Sequence, residues 1–137
     1  MVAPIELIRR VPLFQGLDEK HLKSLARTFS NRTFAAGEPI VREGAGGVGF
    51  FVIEEGEAVV TVHGEARRTL SAGDYFGEIA LIDEGPRTAS VEAKTDVTVS
   101  ALSPWEFRPL VEENASIAWP LLVAMAQRLR EVEQIKA

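Results

Sequence analysis

Five glycines, Gly37, Gly44, Gly56, Gly64 and Gly73, cut the middle of this chain into short pieces at roughly 8- to 12-residue intervals. Between them stand apolar or β-branched runs: Thr33-Phe34, Ile40-Val41, Phe50 to Ile53, Ala58 to Val62, Thr69-Leu70, Thr88 to Val91 and Val97 to Ala101. Segments this short, the first five each followed within a few residues by a glycine, cannot sustain helices. They suit strands joined by turns that need positive backbone angles. The spacing predicts a small β-roll over residues 31–102.

Helical signals lie on both sides of it. From Asp18 to Phe29, Leu22, Leu25, Ala26 and Phe29 fall at i, i+3, i+4 and i+7, with Asp18 placed to cap. Ser103-Pro104-Trp105-Glu106 reads as a capping box with proline at the first helical position, and Phe107, Leu110 and Val111 turn inward. Pro109 is expected to kink or shorten that helix. A last helix is predicted from Ser116 to Gln134, tolerating Pro120 in its first turns. Its Leu122, Met125, Leu129 and Val132 are spaced three, four and three. That stripe is expected to lid the roll; a homodimer through the helix is the other reading. The fold class is therefore α+β in a single domain over residues 1–137: helices within 4–30, the roll, and two closing helices within 104–134.

Composition removes several functions. The 137 residues include no cysteine, so disulfides, thiolate metal sites and thiol nucleophiles are excluded. The net charge is −5 and no basic run exceeds the pairs Arg9-Arg10 and Arg67-Arg68, which leaves no track for direct nucleic acid binding. Glu6, Arg9 and Arg10 interrupt the apolar N-terminus, so neither a leader nor a membrane span is expected, and the chain reads as cytoplasmic. Only His21 and His63 are available as imidazoles, too few for a cupin-like metal enzyme, so no metal is expected.

Residues 44 to 49, GAGGVG, satisfy the glycine fingerprint of dinucleotide-binding folds. That fingerprint needs a helix leaving the glycines, and here Phe50 to Ile53 leaves as a strand. It reads as a loop between strands.

The chemistry gathers instead in residues 73 to 90, GDYFGEIALIDEGPRTAS. Gly77 to Ile82 reads as about one helical turn, whose leading amides favour an anion. Nine positions after Glu78 comes Arg87, behind a Gly85-Pro86 turn. A carboxylate for a sugar hydroxyl, a guanidinium for a phosphate, and free amides between them make a receptor for a small phosphorylated ribose. An internal Glu78–Arg87 ion pair with no ligand is the plainer reading, although a buried pair adds little net stability.

With Phe76-Gly77-Glu78-Ile79-Ala80 followed by Pro86-Arg87-Thr88-Ala89, the chain resembles the cyclic nucleotide-binding domains of bacterial catabolite-activator-like proteins and of eukaryotic kinase and channel regulatory regions. The likeness runs from about Leu13 to Gln134. It implies an eight-stranded antiparallel β-roll (a double-stranded β-helix or jelly roll) carrying a phosphate-binding cassette. It implies that Glu78 accepts from the ribose 2′-hydroxyl, that Arg87 pairs with the cyclic phosphate, and that amides near Ile79, Ala80 and Ala89 complete the anion nest. Thr88 would add a hydroxyl, or be an ordinary strand residue. Val60 and Leu70 would form the apolar wall beneath the nucleotide, or be core. On the last helix, Leu129 and Val132 would cover the base, or Glu133 or Gln134 would accept from it. The expected ligand is cAMP, with cGMP in view because of Thr88.

The implied activity is a receptor that switches conformation for an effector protein or domain, not an enzyme. A degenerate, ligand-free interaction module is the alternative.

Overall fold

The computed structural model describes residues 5–44, 49–83 and 87–136, with the backbone alone for Ile79 and residues 135–136. The centre of GAGGVG and the Gly85-Pro86 turn lie outside the described residues. In chain order come α1 (Ile5–Arg9), a 3-10 turn (Pro12–Phe14) and α2 (Glu19–Thr28). Strands β1 (Ser30–Phe34), β2 (Pro39–Val41), β3 (Phe50–Glu55), β4 (Ala58–Val62), β5 (Glu65–Leu70) and β6 (Tyr75–Phe76) follow. A second 3-10 turn (Glu78–Leu81) precedes β7 (Ser90–Ala93) and β8 (Val97–Leu102), and α3 (Pro104–Glu113) and α4 (Ala115–Lys136) close the chain. The fold is the expected α+β roll.

Its strands form two antiparallel four-stranded sheets, ordered β1-β8-β3-β6 and β2-β7-β4-β5. Adjacent residues of a strand point to opposite faces. In β3, Phe51 and Ile53 therefore enter the interior of the roll, while Phe50 and Val52 enter a second core under the helices. Burial on both faces is why Phe50 to Ile53 is a continuous apolar run. The second sheet keeps one face in solvent, and all of β5 except Leu70 is exposed.

Local chemistry fixes the helix starts. The Asp18 carboxylate accepts from the His21 amide at 2.9 Å. Ser103 and Glu106 form a reciprocal capping box, and α3 runs ten residues through Pro109.

The tertiary seat of α4 was not visible in its periodicity. Ile117, Leu121 and Ala124 face the core, whereas Leu122 and Leu129 are each 60% exposed and Val132 is 47% exposed. Of the Leu122–Met125–Leu129–Val132 stripe only Met125 packs against the core; the face beside the stripe makes the lid. Pro120 decides the rotation, because a Cβ on Gly16 would stand 2.9 Å from the Pro120 Cβ, and glycine lets the helix seat there.

Candidate functional site

Between β6 and β7 the chain crosses from one sheet to the other, and this crossover carries the cassette residues. It turns at Gly77, whose φ of +88° suits glycine. A Cβ there would also stand 2.5 Å from Arg87 Nη1 and 2.6 Å from the Gly49 carbonyl oxygen. Backbone and guanidinium meet so closely that no other residue fits unchanged. The 3-10 turn then presents Glu78, which is only 9% exposed.

Glu78 and Arg87 each have a partner, but not each other. The Glu78 carboxylate accepts from Arg128 Nη1, reaching in from α4. Arg128 lies one further turn along the face that buries Ile117, Leu121 and Ala124, which is why it meets the cassette. Arg87 donates from Nη2 to the Gly49 carbonyl, while its Nε is shielded from water with no partner among the described residues. Burial pushes the Arg87 pKa down from its ordinary value, and the nearby Glu78 charge pushes it back up. A partly dehydrated cation with an unmatched donor is a strong attractor for an anion.

The loop before β3 is tied to the same place. The Gly44 amide donates to the Arg87 carbonyl at 2.8 Å, and the Glu43 amide donates to Ser90 Oγ at 2.8 Å. The Glu43 carboxylate in turn accepts from the His63 amide at the β4–β5 tip, at 2.8 Å.

These elements surround a cavity of about 370 Å³, the size of a small-ligand pocket. Of the residues expected at a site, Val60, Phe76, Gly77, Glu78, Ala80, Arg87, Thr88 and Ala89 line it. The Ile79 side chain is outside the described residues, and Leu70, Leu129 and Glu133 lie elsewhere. Leu70 is 1% exposed and belongs to the core of the roll, one pleat beyond Arg68. Leu129 and Glu133 are exposed on α4 and do not line the cavity, because the seating of Pro120 turns a different face inward. The Ala80 amide, expected in an anion nest, bonds to the Gly77 carbonyl at 3.0 Å.

Sequence reasoning missed Arg68, which lines the cavity from β5 opposite Val60. It also missed Arg128 as the partner of Glu78. Among the described residues no three His, Cys, Asp or Glu side chains gather to hold a metal, and no helix is long and apolar enough to cross a membrane.

Residues 31–114 match the family model described as the cyclic nucleotide-binding domain. The chain belongs to that family. This cyclic nucleotide-binding domain is 40% identical over 106 residues to a cAMP-dependent protein kinase regulatory subunit of Emericella nidulans, covering 76% of this chain and 26% of that one. It is 34% identical over 124 residues to a cGMP-dependent protein kinase of Toxoplasma gondii, covering 90% and 12%. The domain therefore spans only a small part of these relatives. Among solved structures, the N-terminal domain of a transcriptional regulator from Streptomyces coelicolor superposes with a TM-score of 0.86 at 31% identity, covering 93% of this chain and 95% of that one. The Thermus thermophilus catabolite activator protein gives 0.72 at 30% identity, covering 90% and 61%.

Proposed function

We propose that this domain is a receptor for a 3′,5′-cyclic nucleotide and works as a switch, not as a catalyst. One observation carries the reading: Arg87, partly dehydrated and with an Nε donor unmatched among the described residues, stands beside Glu78 in a cavity of ligand size. The cyclic phosphate would draw Arg87 from the Gly49 carbonyl and give its fork of donors charged acceptors. A ribose hydroxyl would donate to Glu78, and Val60 and Phe76 would offer apolar surface. What a ligand gains here is available only in the conformation that completes its contacts, so binding shifts the population toward that conformation. An effector protein or domain would read the shift.

The nucleotide is cAMP in the first reading, the ligand named for the Emericella relative. Arg68 favours a second. A guanidinium only donates, and the edge of guanine offers two acceptors, O6 and N7, where adenine offers one acceptor and one donor. Arg68 has no hydrogen bond or ion pair among the described residues to satisfy those donors, and Thr88 lines the same cavity.

Calorimetric titration with cAMP and cGMP tests both readings. Saturable binding of either in the micromolar range supports the receptor, and the tighter of the two identifies the base. Heat from neither at high micromolar concentration overturns it and leaves the interaction module.

A further inference from the structure

A carboxylate, an imidazole and a hydroxyl meet where α2 and α4 begin. The His21 side chain, 17% exposed, has its Nδ1 2.9 Å from Asp18 Oδ1 and its Nε2 3.4 Å from Ser116 Oγ. The same Asp18 oxygen accepts from the His21 amide, so one atom holds both the ring and its backbone. A carboxylate only accepts, which puts the ring proton on Nδ1 and leaves the Nε2 lone pair to the serine hydroxyl. Nucleophile–base contacts of this kind run looser before a substrate is bound. None of the three residues lines the nucleotide cavity.

The fold assembles this group, since Ser116 is 95 positions from His21. Pro120, one turn along α4, seats on Gly16 and brings Ser116 over the start of α2. Leu22 and Ile117, the neighbours of His21 and Ser116 in the chain, are buried in the core and hold both backbones in place.

We propose that Ser116 is a nucleophile with His21 as its general base and Asp18 as a positioning residue, and that the site hydrolyses small carboxylic esters. His21 Nε2 takes the Oγ proton while Oγ bonds to the ester carbonyl carbon. The amides of Ala115 and Ser116 open α4, where the helical ladder leaves them unpaired, and they receive the oxyanion. The bond from the carbonyl carbon to the leaving oxygen then breaks, and the imidazolium gives its proton to that oxygen. Water attacks the acyl-serine in turn: His21 takes its proton, the acid departs and Ser116 regains its hydrogen. Trp119 lies on the same face one turn on, is 70% exposed, and as a helical side chain leans back toward Ser116. Its ring suits an apolar or aromatic ester. Because Ser116 is exposed, binding adds little, and the esters that react are those with a good leaving group. The receptor reading plays no part in this site.

p-Nitrophenyl acetate and a fluorophosphonate probe, each applied to the full chain, test the assignment. The ester should be hydrolysed catalytically, and the fluorophosphonate should add to Ser116, located by peptide mass. Ser116→Ala and His21→Gln should each lower hydrolysis on the order of 100-fold and abolish the label. Asp18→Asn keeps the α2 cap, because asparagine caps as well as aspartate, so the melting temperature should hold. Hydrolysis and labelling should nevertheless fall on the order of tenfold or more, since the amide no longer fixes the tautomer.

Hydrolysis unchanged in Ser116→Ala, with no label on Ser116, overturns the nucleophile and leaves the three residues as a tie between α2 and α4. A label that reaches Ser116 at the same rate in His21→Gln and Asp18→Asn overturns the triad.

Discussion

The two sheets of the roll are made of similar strands and do different work. The sheet β1-β8-β3-β6 is covered on both faces at its central strands β3 and β8, where Phe50 meets Phe14 and Phe29 edge-on at 5.7 and 6.0 Å. On its inner face Phe51 stacks on Phe76 at 5.1 Å. The sheet β2-β7-β4-β5 is bare on one side and supplies Val60, Arg68 and Val91 to the cavity. Stability is concentrated where water is excluded twice, and recognition where strands can carry charge. The cassette joins the two, leaving one sheet at Phe76 and entering the other at Ser90.

That division can be broken most forcefully from the covered side. Phe50→Ala, which removes a fully buried ring, should destabilise the domain by about 3–5 kcal/mol in chemical denaturation. A loss under about 1 kcal/mol would mean the sheets share the load evenly. From the cavity side, Arg87→Leu should weaken cyclic nucleotide binding by roughly 2–5 kcal/mol in calorimetry. Folding stability should move by less than about 1 kcal/mol, since an unmatched donor goes with the charge. Equal losses in both measurements would erase the distinction.

Gly77→Ala sits on the crossover and should register on both scales. The positive φ and the contacts with Arg87 and Gly49 should cost roughly 1–3 kcal/mol of stability, with weaker nucleotide binding alongside. The smallest effect belongs to Tyr75, whose phenol pKa is raised by burial first and by the Glu78 charge second. A folded pKa above the unfolded value gives stability that is complete below pH about 10 and is lost as pH rises through the folded value. Tyr75→Phe should flatten that alkaline limb of the stability profile. An unchanged limb would detach Tyr75 from it.

What could be read from the sequence was the chemistry that closes over a few residues. Asp18, the Ser103–Glu106 box and the 3-10 turn after Gly77 are all set within about one turn of their own backbone. Glu78 and Arg87 were legible because a short motif holds them. Arg68 was not, and the reason is a single bulge: the β4–β5 pairing slips between Val60 and Thr61, which brings Arg68 rather than Arg67 opposite Val60. The partner of Glu78 lies fifty residues away on a helix whose rotation depends on Pro120 meeting Gly16, a contact no periodicity reveals. Leu129 and Glu133 were placed at the cavity by the same blindness to that rotation.

The contact between Gly16 and Pro120 makes α4 a lever with a fixed fulcrum. From Pro120 the helix runs about 12 Å to Arg128 and about 24 Å to Lys136 at 1.5 Å per residue. A sideways shift imposed at Arg128 would thus be about doubled at Lys136, so the geometry of the helix amplifies whatever is done at one carboxylate.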